Sequence, residues 1–209
     1  METVAPMPFL WFGIFKQNKP SLIMSMLLVL VAIALIILIW VVMMYNQLVK
    51  LRNLVDEAWS GISVQLKRRF DLIPNLVETV KGYASHEKST LENVINLRNA
   101  AMSAAPGDVA QLAQANVALS QGIKGVFALA ENYPDLKANQ NFIELQNALQ
   151  SVEDNLQNSR RYYNGCVRDL NTACESFPSV LVANAFGFAK RDFFELDTPE
   201  EAQNVKVSF

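Results

Sequence analysis

The sequence from Leu22 to Met44, LIMSMLLVLVAIALIILIWVVMM, decides the fold. Its 23 residues include no charge, no proline and no glycine. As a helix the run would be about 35 Å long, enough to cross a hydrocarbon core of about 30 Å. A signal-peptide core would be shorter, about 7–15 residues, and Trp40 and Tyr45 stand at the end of this run as interfacial anchors do. We therefore predict a retained single-pass transmembrane helix over 22–45 rather than a buried core helix.

Residues 1–21 form an N-terminal tail with an aromatic patch, Phe9–Phe15, followed by two lysines. Aromatic rings beside lysines suit the headgroup layer of a bilayer, and a tail without fixed structure is the alternative. Lys50 and Arg52 match the two lysines on the other side of the apolar run. Because the flanks are nearly balanced, the positive-inside rule does not select the side of the membrane that holds the rest of the chain.

The whole chain has 209 residues, a net charge of −2, eight glycines and eight prolines. About 165 residues follow the apolar run, which is the size of one domain. A near-neutral charge does not favour nucleic acid as a partner, and scarce glycine and proline favour helices. Cys166 and Cys174 lie about 12 Å apart if they share one helix, too far for a disulfide between them. We expect both to be buried apolar residues.

The first helix boundaries follow from the positions of proline and of capping residues. No proline or glycine interrupts the chain after Pro20 until Gly61, so the apolar helix should continue outward as a rod that ends near Arg68–Phe70. Asp71 is a suitable N-cap, and Pro74 is tolerated in the first turn of a helix. We therefore predict that a second helix begins at about residue 72 and runs to about residue 103.

Two further helices are predicted from the spacing of apolar residues. The third follows the turn Ala105–Asp108 and ends before Tyr133–Asp135. Its core-facing residues are Val109, Leu112, Asn116, Leu119, Ile123, Val126 and Ala130. The fourth helix alternates spacings of three and four, the period of a coiled-coil seam. Its seam residues are Phe142, Leu145, Leu149, Val152, Leu156, Ser159, Tyr163, Cys166, Leu170, Ala173 and Phe177. These patterns predict an all-α fold, with the transmembrane helix continuous with an antiparallel up-down four-helix bundle over 46–177.

The fourth helix of such a bundle returns towards the membrane, so an aromatic C-terminal tail, 178–209, should begin near the bilayer. The end of that helix and the tail hold six of the twelve phenylalanines: Phe177, Phe186, Phe188, Phe193, Phe194 and Phe209. Three alternatives fit these rings: packing on the chain's own bundle, docking on a neighbouring subunit, and contact with the lipid surface. Phe186, Phe188, Phe193 and Phe194 are therefore candidate interaction residues.

Little in the sequence suits an enzyme. His86 is the sole histidine, and the residues after it lack the second histidine of an HExxH zinc motif. Gly122–Gly125 lies within a helical pattern and lacks the spacing of a phosphate-binding loop. Cys166 occupies the seam rather than a position beside a base. We expect no catalytic activity, no cofactor and no metal site.

Polar residues on the fourth helix form a candidate interaction stripe. Its members are Arg160, Arg161, Asn164 and Arg168. Arg161, Asn164 and Arg168 share one helical face, and Arg160 and Asn164 approximately share another with Asn171. The stripe suits the carboxylates or backbone of a partner, and bonds that hold the chain's own helices together are the alternative.

Arg68, Arg69 and Asn75 form a second candidate at the predicted membrane-distal tip. A tip position suits contact with a partner. Charged runs are more often simply solvated, and that is the alternative here.

Several segments resemble the LemA family of bacterial membrane proteins. They are KRRFDLIPNLVETVKGYA (67–84), AENYPDLKA (130–138), RRYYN (160–164), VRD (167–169), FPS (177–179), FGF (186–188), FFE (193–195) and VKVSF (205–209). They span nearly the whole domain in family order. Leu170 is a departure, since the family pattern has tyrosine after Arg-Asp.

The resemblance implies an N-terminal anchor in the bacterial inner membrane and an antiparallel helical bundle. It implies no established activity and no catalytic residues, while members are sometimes encoded near membrane proteases and magnetosome proteins resemble the family. The first functional hypothesis is a non-enzymatic scaffold that contacts membrane lipid, forms a homo-oligomer and organises the membrane. The alternative is a monomeric adaptor for a membrane protease or an envelope-stress partner.

Overall fold

The computed structural model describes residues 19–104 and 108–194. Of these residues 85% are helical and none lies in a strand, which confirms the all-α class. The helices are α1, Lys19–Lys81; α2, Lys88–Met102; α3, Val109–Ala130; α4, Pro134–Lys137; α5, Gln140–Glu175; and α6, Ser179–Phe186. The predicted N-terminal aromatic patch, most of the turn at 105–108 and the end of the tail with Phe209 lie outside the described residues.

The chain divides into two compact units at Asn46/Gln47. The described part of the first unit is helical, and its large apolar side chains from Ile23 to Met43 are almost all exposed. Its most apolar window has a mean hydropathy of 3.3 and none of it is buried. A core helix of this composition would bury its side chains, so the helix has the length and surface of a membrane span.

In the second unit, α1 and α5 pack side by side. Residues later in α5 contact residues earlier in α1: Glu153 pairs with Arg69, and Tyr163 packs on Trp59. On α1, Leu48, Val55, Ala58 and Ile62 are buried. This order of contacts makes the two helices antiparallel and places the end of α5 at the Gln47 end of the unit.

The predicted end of the first helix near Arg68–Phe70 is wrong. Helix α1 passes through Pro74 and ends at Lys81. Proline has no N–H, so the carbonyl of Phe70 loses its intrahelical partner, and Arg98 of α2 supplies one through Nε at 2.7 Å. The second helix therefore begins at Lys88 instead of residue 72. His86 consequently lies exposed in the turn between α1 and α2.

One apolar cluster connects α1, α2, α3, α4 and the first half of α5. Its buried members are Ile73, Leu76, Val77, Val80, Ala84, Leu91, Val94, Ala101, Leu119, Ile123, Val126, Ala130, Leu136, Phe142 and Leu149. Helices α2 and α3 approach closely at Gly122, where an added Cβ would lie 2.8 Å from Leu97 Cδ1. Asp108 and Asn139 cap α3 and α5 by accepting backbone N–H bonds, as side chains at N-cap positions do. Every predicted α3 core residue is buried except Leu112, which is half-buried.

The predicted α5 seam is buried or half-buried along its length, with one exception. Helix α5 ends at Glu175, and Phe177 lies beyond it with 80% of its surface exposed. Helix α6 follows, packs on α5 and buries Val182 and Ala183. It ends at Gly187, whose φ of 72° is in the left-handed region that glycine adopts without strain. An irregular segment, 188–194, then runs back along the unit.

Candidate interaction surfaces

Arg69 is buried inside the second unit, although Arg68 beside it is exposed. Only 4% of Arg69 is accessible. Its Nη2 donates to Ser120 Oγ of α3 at 2.7 Å and lies 3.0 Å from Glu153 Oε2 of α5. Arg69 therefore joins three helices of its own chain, and its guanidinium is not on the surface.

Arg160 extends this buried charge cluster along α5. Burial lowers the pKa of the Arg69 guanidinium, while the carboxylate of Glu153 opposes that effect and the charge of Arg160 adds to it. Burial also lowers the pKa of Arg160, and Glu153 again opposes the shift. Two guanidinium groups thus share a single carboxylate, and both stay charged at neutral pH because arginine starts from a very high pKa.

Several polar atoms in and beside the cluster are not fully satisfied. Arg69 Nη1, Arg160 Nε and Glu153 Oε2 have no hydrogen-bond partner among the described residues. Glu153 Oε2 lies 3.0 Å from Arg69 Nη2, but the two groups are not aligned as a hydrogen bond. The same holds for Gln65 Oε1, one turn before Arg69, and for Asn116 Oδ1, one turn before Ser120. Such groups cost free energy, so the cluster is not a source of net stability.

Two asparagines on α5 bind the backbone of the segment 188–194. Asn164 accepts from Phe194 N–H at 2.8 Å and donates to the Phe194 carbonyl at 3.2 Å. Asn171 makes the same pair of bonds with the backbone of Arg191, both at 2.9 Å. Seven helical residues and three extended residues both measure about 10 Å, so the two spacings match. We call this arrangement the asparagine clamp.

Tyr163 and Arg160 complete the docking of that segment. The Tyr163 hydroxyl donates to the Asp192 carbonyl at 3.0 Å, and burial raises the pKa of that hydroxyl, which keeps it protonated as a donor. The Phe194 ring is 3% exposed, with its centroid 6.2 Å from the Trp59 ring and 4.8 Å from Arg160 Cζ. Phe194 therefore packs within its own unit.

Near the Gln47 end of the unit, charged residues fix the start of the same segment. Arg52 Cζ lies 5.6 Å from the centre of the Phe188 ring. Lys190 pairs with Glu175 at 2.7 Å, and Arg191 pairs with Asp56 at 3.4 Å. The Glu175 carboxylate raises the pKa of Lys190.

The remaining predicted polar residues point outward. Arg68 and Asn75 are exposed on α1, seven residues apart and hence on one face. Arg161 is exposed and donates to Asn158, and Arg168 is exposed beside Asp169 at 3.5 Å. The predicted stripe is therefore split, because Arg160 and Asn164 face the chain's own tail and the other two arginines face solvent.

Several large apolar side chains stand exposed beyond the end of α5. Phe177 is 80% exposed, Leu181 59%, Phe186 56% and Phe193 38%. Sequence reasoning did not single out Leu181, although its place in the apolar segment of α6 signals an amphipathic helix. Asn171 and Trp59 were also not chosen as site residues, and only the position of the tail gives them their role.

No group of three or more metal-ligating side chains occurs in 19–104 or 108–194. Cys166 and Cys174 are buried and free, and burial raises the pKa of the Cys174 thiol, with a smaller effect from Glu175. A raised pKa lowers the thiolate fraction, so this sulfur is a weak nucleophile.

These features define a helical protein with one helix long enough to span a membrane and a tail clamped to its own domain. The LemA family model matches residues 58–209, more than half of the chain, and the chain belongs to the LemA family. Protein LemA of Metamycoplasma hominis is 25% identical over 140 residues, which covers 66% of this chain and 63% of that protein. Magnetosome protein MamQ of Magnetospirillum gryphiswaldense is 21% identical over 176 residues, covering 73% and 65% respectively. The chain thus spans slightly less than two thirds of the length of each relative.

Proposed function

We propose that this protein is a non-enzymatic scaffold of the bacterial inner membrane. Its transmembrane helix anchors a four-helix bundle with an aromatic C-terminal tail, and copies of the chain associate laterally to organise the membrane around them. The observation that carries this proposal is a contrast between side chains: Arg69, Asn164 and Asn171 bind their own chain, whereas large apolar side chains are exposed along the apolar run and beyond the end of α5.

The polar side chains support a structural role because four of the candidate interaction groups already contact the protein's own chain. Arg69 bridges α1, α3 and α5, and Arg160 lies over the Phe194 ring. Asn164 and Asn171 have both their donor and their acceptor engaged with the tail backbone. A partner that reads these residues would first have to displace the chain's own contacts.

The apolar side supports association in or at a bilayer. The window of α1 with no buried surface gives the span a face on every side for lipid and for other spans. The similarity to a magnetosome protein also fits a membrane-associated helical protein.

The monomeric adaptor keeps one observation in its favour. Arg68 and Asn75 share an exposed face of α1, and that face suits a carboxylate-bearing partner such as a membrane protease or an envelope-stress protein. Arg69 cannot contribute to this face because it is buried. The adaptor surface is therefore smaller than the sequence predicts.

Energy transfer between labelled copies in vesicles tests self-association. Donor-labelled and acceptor-labelled full-length chains are reconstituted together, and lipid is then added to dilute them. Specific association predicts transfer that persists on dilution. Transfer that falls in proportion to dilution contradicts the scaffold, and charge reversal at Arg68 that abolishes capture of a protease would favour the adaptor instead.

A further inference from the structure

We propose that the turn after α5 and the exposed face of α6 lie in the headgroup layer of the bilayer that the transmembrane helix crosses. The residues that enter the lipid interface are Phe177 and Leu181, with Phe186 beside them, and we call them the interface patch. This inference rests on the proposed anchoring, but not on self-association.

The interface patch is unusual for a surface in water. Phe177 is 80% exposed and Leu181 is 59% exposed, although the same short helix buries Val182 and Ala183 against α5. Helix α6 is thus apolar on its inner face and at several outer positions. Exposed apolar side chains that cluster in this way mark a surface with a partner.

The position of the interface patch within the second unit indicates that this partner is the lipid bilayer. The antiparallel contacts between α1 and α5 place Phe177, just past the end of α5, at the Gln47 end of the unit. At the other end of α6, Phe188 follows Phe186 by two residues, and its ring lies under Arg52. Both ends of α6 therefore lie at the Gln47 end of this unit.

The chain length between Arg52 and the apolar run is short. Arg52 follows Met44 by eight residues. Eight residues span at most about 29 Å when fully extended, and about 12 Å as helix. The headgroup region of each leaflet begins where the apolar run ends, so the length of the intervening chain permits α6 to reach lipid headgroups.

The surrounding charges suit lipid headgroups. Lys50 and Arg52 are exposed on α1, and Lys190 and Arg191, which pair with Glu175 and Asp56, are partly exposed just after α6. Cations beside Phe and Leu are the composition of a helix that lies in an interface. A second copy of the chain is the less suitable occupant, because an eight-residue helix offers far less than the roughly 800 Å² per partner that a stable interface needs.

A single fluorescent label tests the depth of the patch in the full-length chain. Leu181→Cys is prepared with Cys166→Ala and Cys174→Ala, labelled with an environment-sensitive fluorophore, and reconstituted in vesicles of phosphatidylethanolamine and phosphatidylglycerol. Ile143→Cys in the same background is the matched control, since Ile143 is an exposed apolar residue near the opposite end of α5. Quenching by aqueous iodide and by lipids with a shallow spin label is measured at each position.

The expected result is iodide quenching several-fold weaker at position 181 than at 143, with spin-label quenching at 181 only. Equal iodide quenching at the two positions overturns the proposal. Protection from iodide without spin-label quenching also overturns it, because protein and not lipid would then cover the patch. Phe177→Cys repeats the test outside α6, so a local disturbance of that helix does not decide the outcome.

The same samples separate this inference from the proposed function. If copies do not associate but the label at 181 still contacts lipid, self-association fails and the interface patch stands. If copies associate while the label stays in water, the interface patch fails and the scaffold stands.

Discussion

The Nε of Arg98 donates a 2.7 Å hydrogen bond to the carbonyl oxygen of Phe70, across the contact between α2 and α1. That carbonyl would bond to the N–H of residue 74 in an ordinary helix, but residue 74 is proline. Arg98 thus replaces an intrahelical bond with a bond between helices. This replacement allows α1 to extend beyond Pro74 and to form the apolar core with α2 and α3.

Arg98→Met should lower the stability of the second unit because it removes the donor and keeps the apolar stem of the side chain. An unpaired, partly buried carbonyl costs about 1–3 kcal/mol. The midpoint of thermal unfolding of the full-length chain, followed by circular dichroism in detergent, measures the change. In a Pro74→Ala background the N–H of residue 74 returns, so the same substitution should cost much less. An equal loss in both backgrounds would contradict the role given to Arg98.

Asn164→Ala with Asn171→Ala should release the segment 188–194 from α5. Each substitution removes two hydrogen bonds worth together about 1–3 kcal/mol, and about 1.4 kcal/mol changes an opening equilibrium tenfold. Trypsin should therefore cut after Lys190 and Arg191 at least about tenfold faster, as mass spectrometry of the fragments would show. Asn158→Ala is the matched control on the same helix, since Asn158 bonds to Arg161 and has no bond to the segment 188–194. Equal cleavage rates in the double variant and the control would refute the asparagine clamp.

Glu153→Gln should destabilise the chain far more than Asp154→Asn beside it. The first change leaves Arg69 and Arg160 without their shared carboxylate, at a cost near the lower end of about 3–5 kcal/mol because the Glu153 side chain is 39% exposed. The second removes an exposed charge that hydrogen-bonds to Gln150 of its own helix, so its effect should lie within about 0.5 kcal/mol. Thermal midpoints of the two variants, measured side by side, decide the matter. Equal midpoints would mean that Glu153 does not compensate the buried arginines.

Cys174 should react slowly with iodoacetamide in the folded chain. Burial raises the pKa of its thiol, so less thiolate is present at a given pH than in a free cysteine, and the rate should rise only at higher pH. Peptide mass spectrometry before and after unfolding in urea gives the ratio of rates. A folded-state rate as high as the unfolded one would place this thiol at the surface.

Cys166→Ala and His86→Ala should leave any cellular phenotype of the protein unchanged, because neither residue is expected to act in catalysis. Loss of the phenotype in either variant would favour an enzymatic function.

Local periodicity predicts much of this fold. The seam of α5 and the core face of α3 repeat at three and four residues, and burial follows that repeat from Phe142 to Leu170 and from Val109 to Ala130. The apolar run is equally local, since composition and length alone define it. Features of this kind need no information from elsewhere in the chain.

The helix boundary near Phe70 could not be predicted in this way, because it depends on Arg98, 28 residues further along the chain. The burial of Arg69 did leave a signal. If α1 is continued through Pro74, the buried positions Ile62, Leu66, Ile73 and Leu76 place Arg69 in the same alternation of four and three. The error in the boundary therefore concealed the buried arginine.

The tail contacts could be predicted only in part. The spacing of Asn164 and Asn171 marks one side of α5, but the bonding partner is backbone, which carries no side-chain pattern. The sequence left three alternative environments for the phenylalanines. The structure shows that the rings differ: Phe194 is buried in its own unit, whereas Phe177 is exposed.

The mass of the full-length protein extracted in native lipid patches tests the central claim most directly. A scaffold that self-associates predicts a large particle of uniform mass that contains several copies of the chain, beside a piece beginning at Asn46 that measures as a monomer. One copy per patch, for the full-length chain as for the shorter piece, would contradict the scaffold.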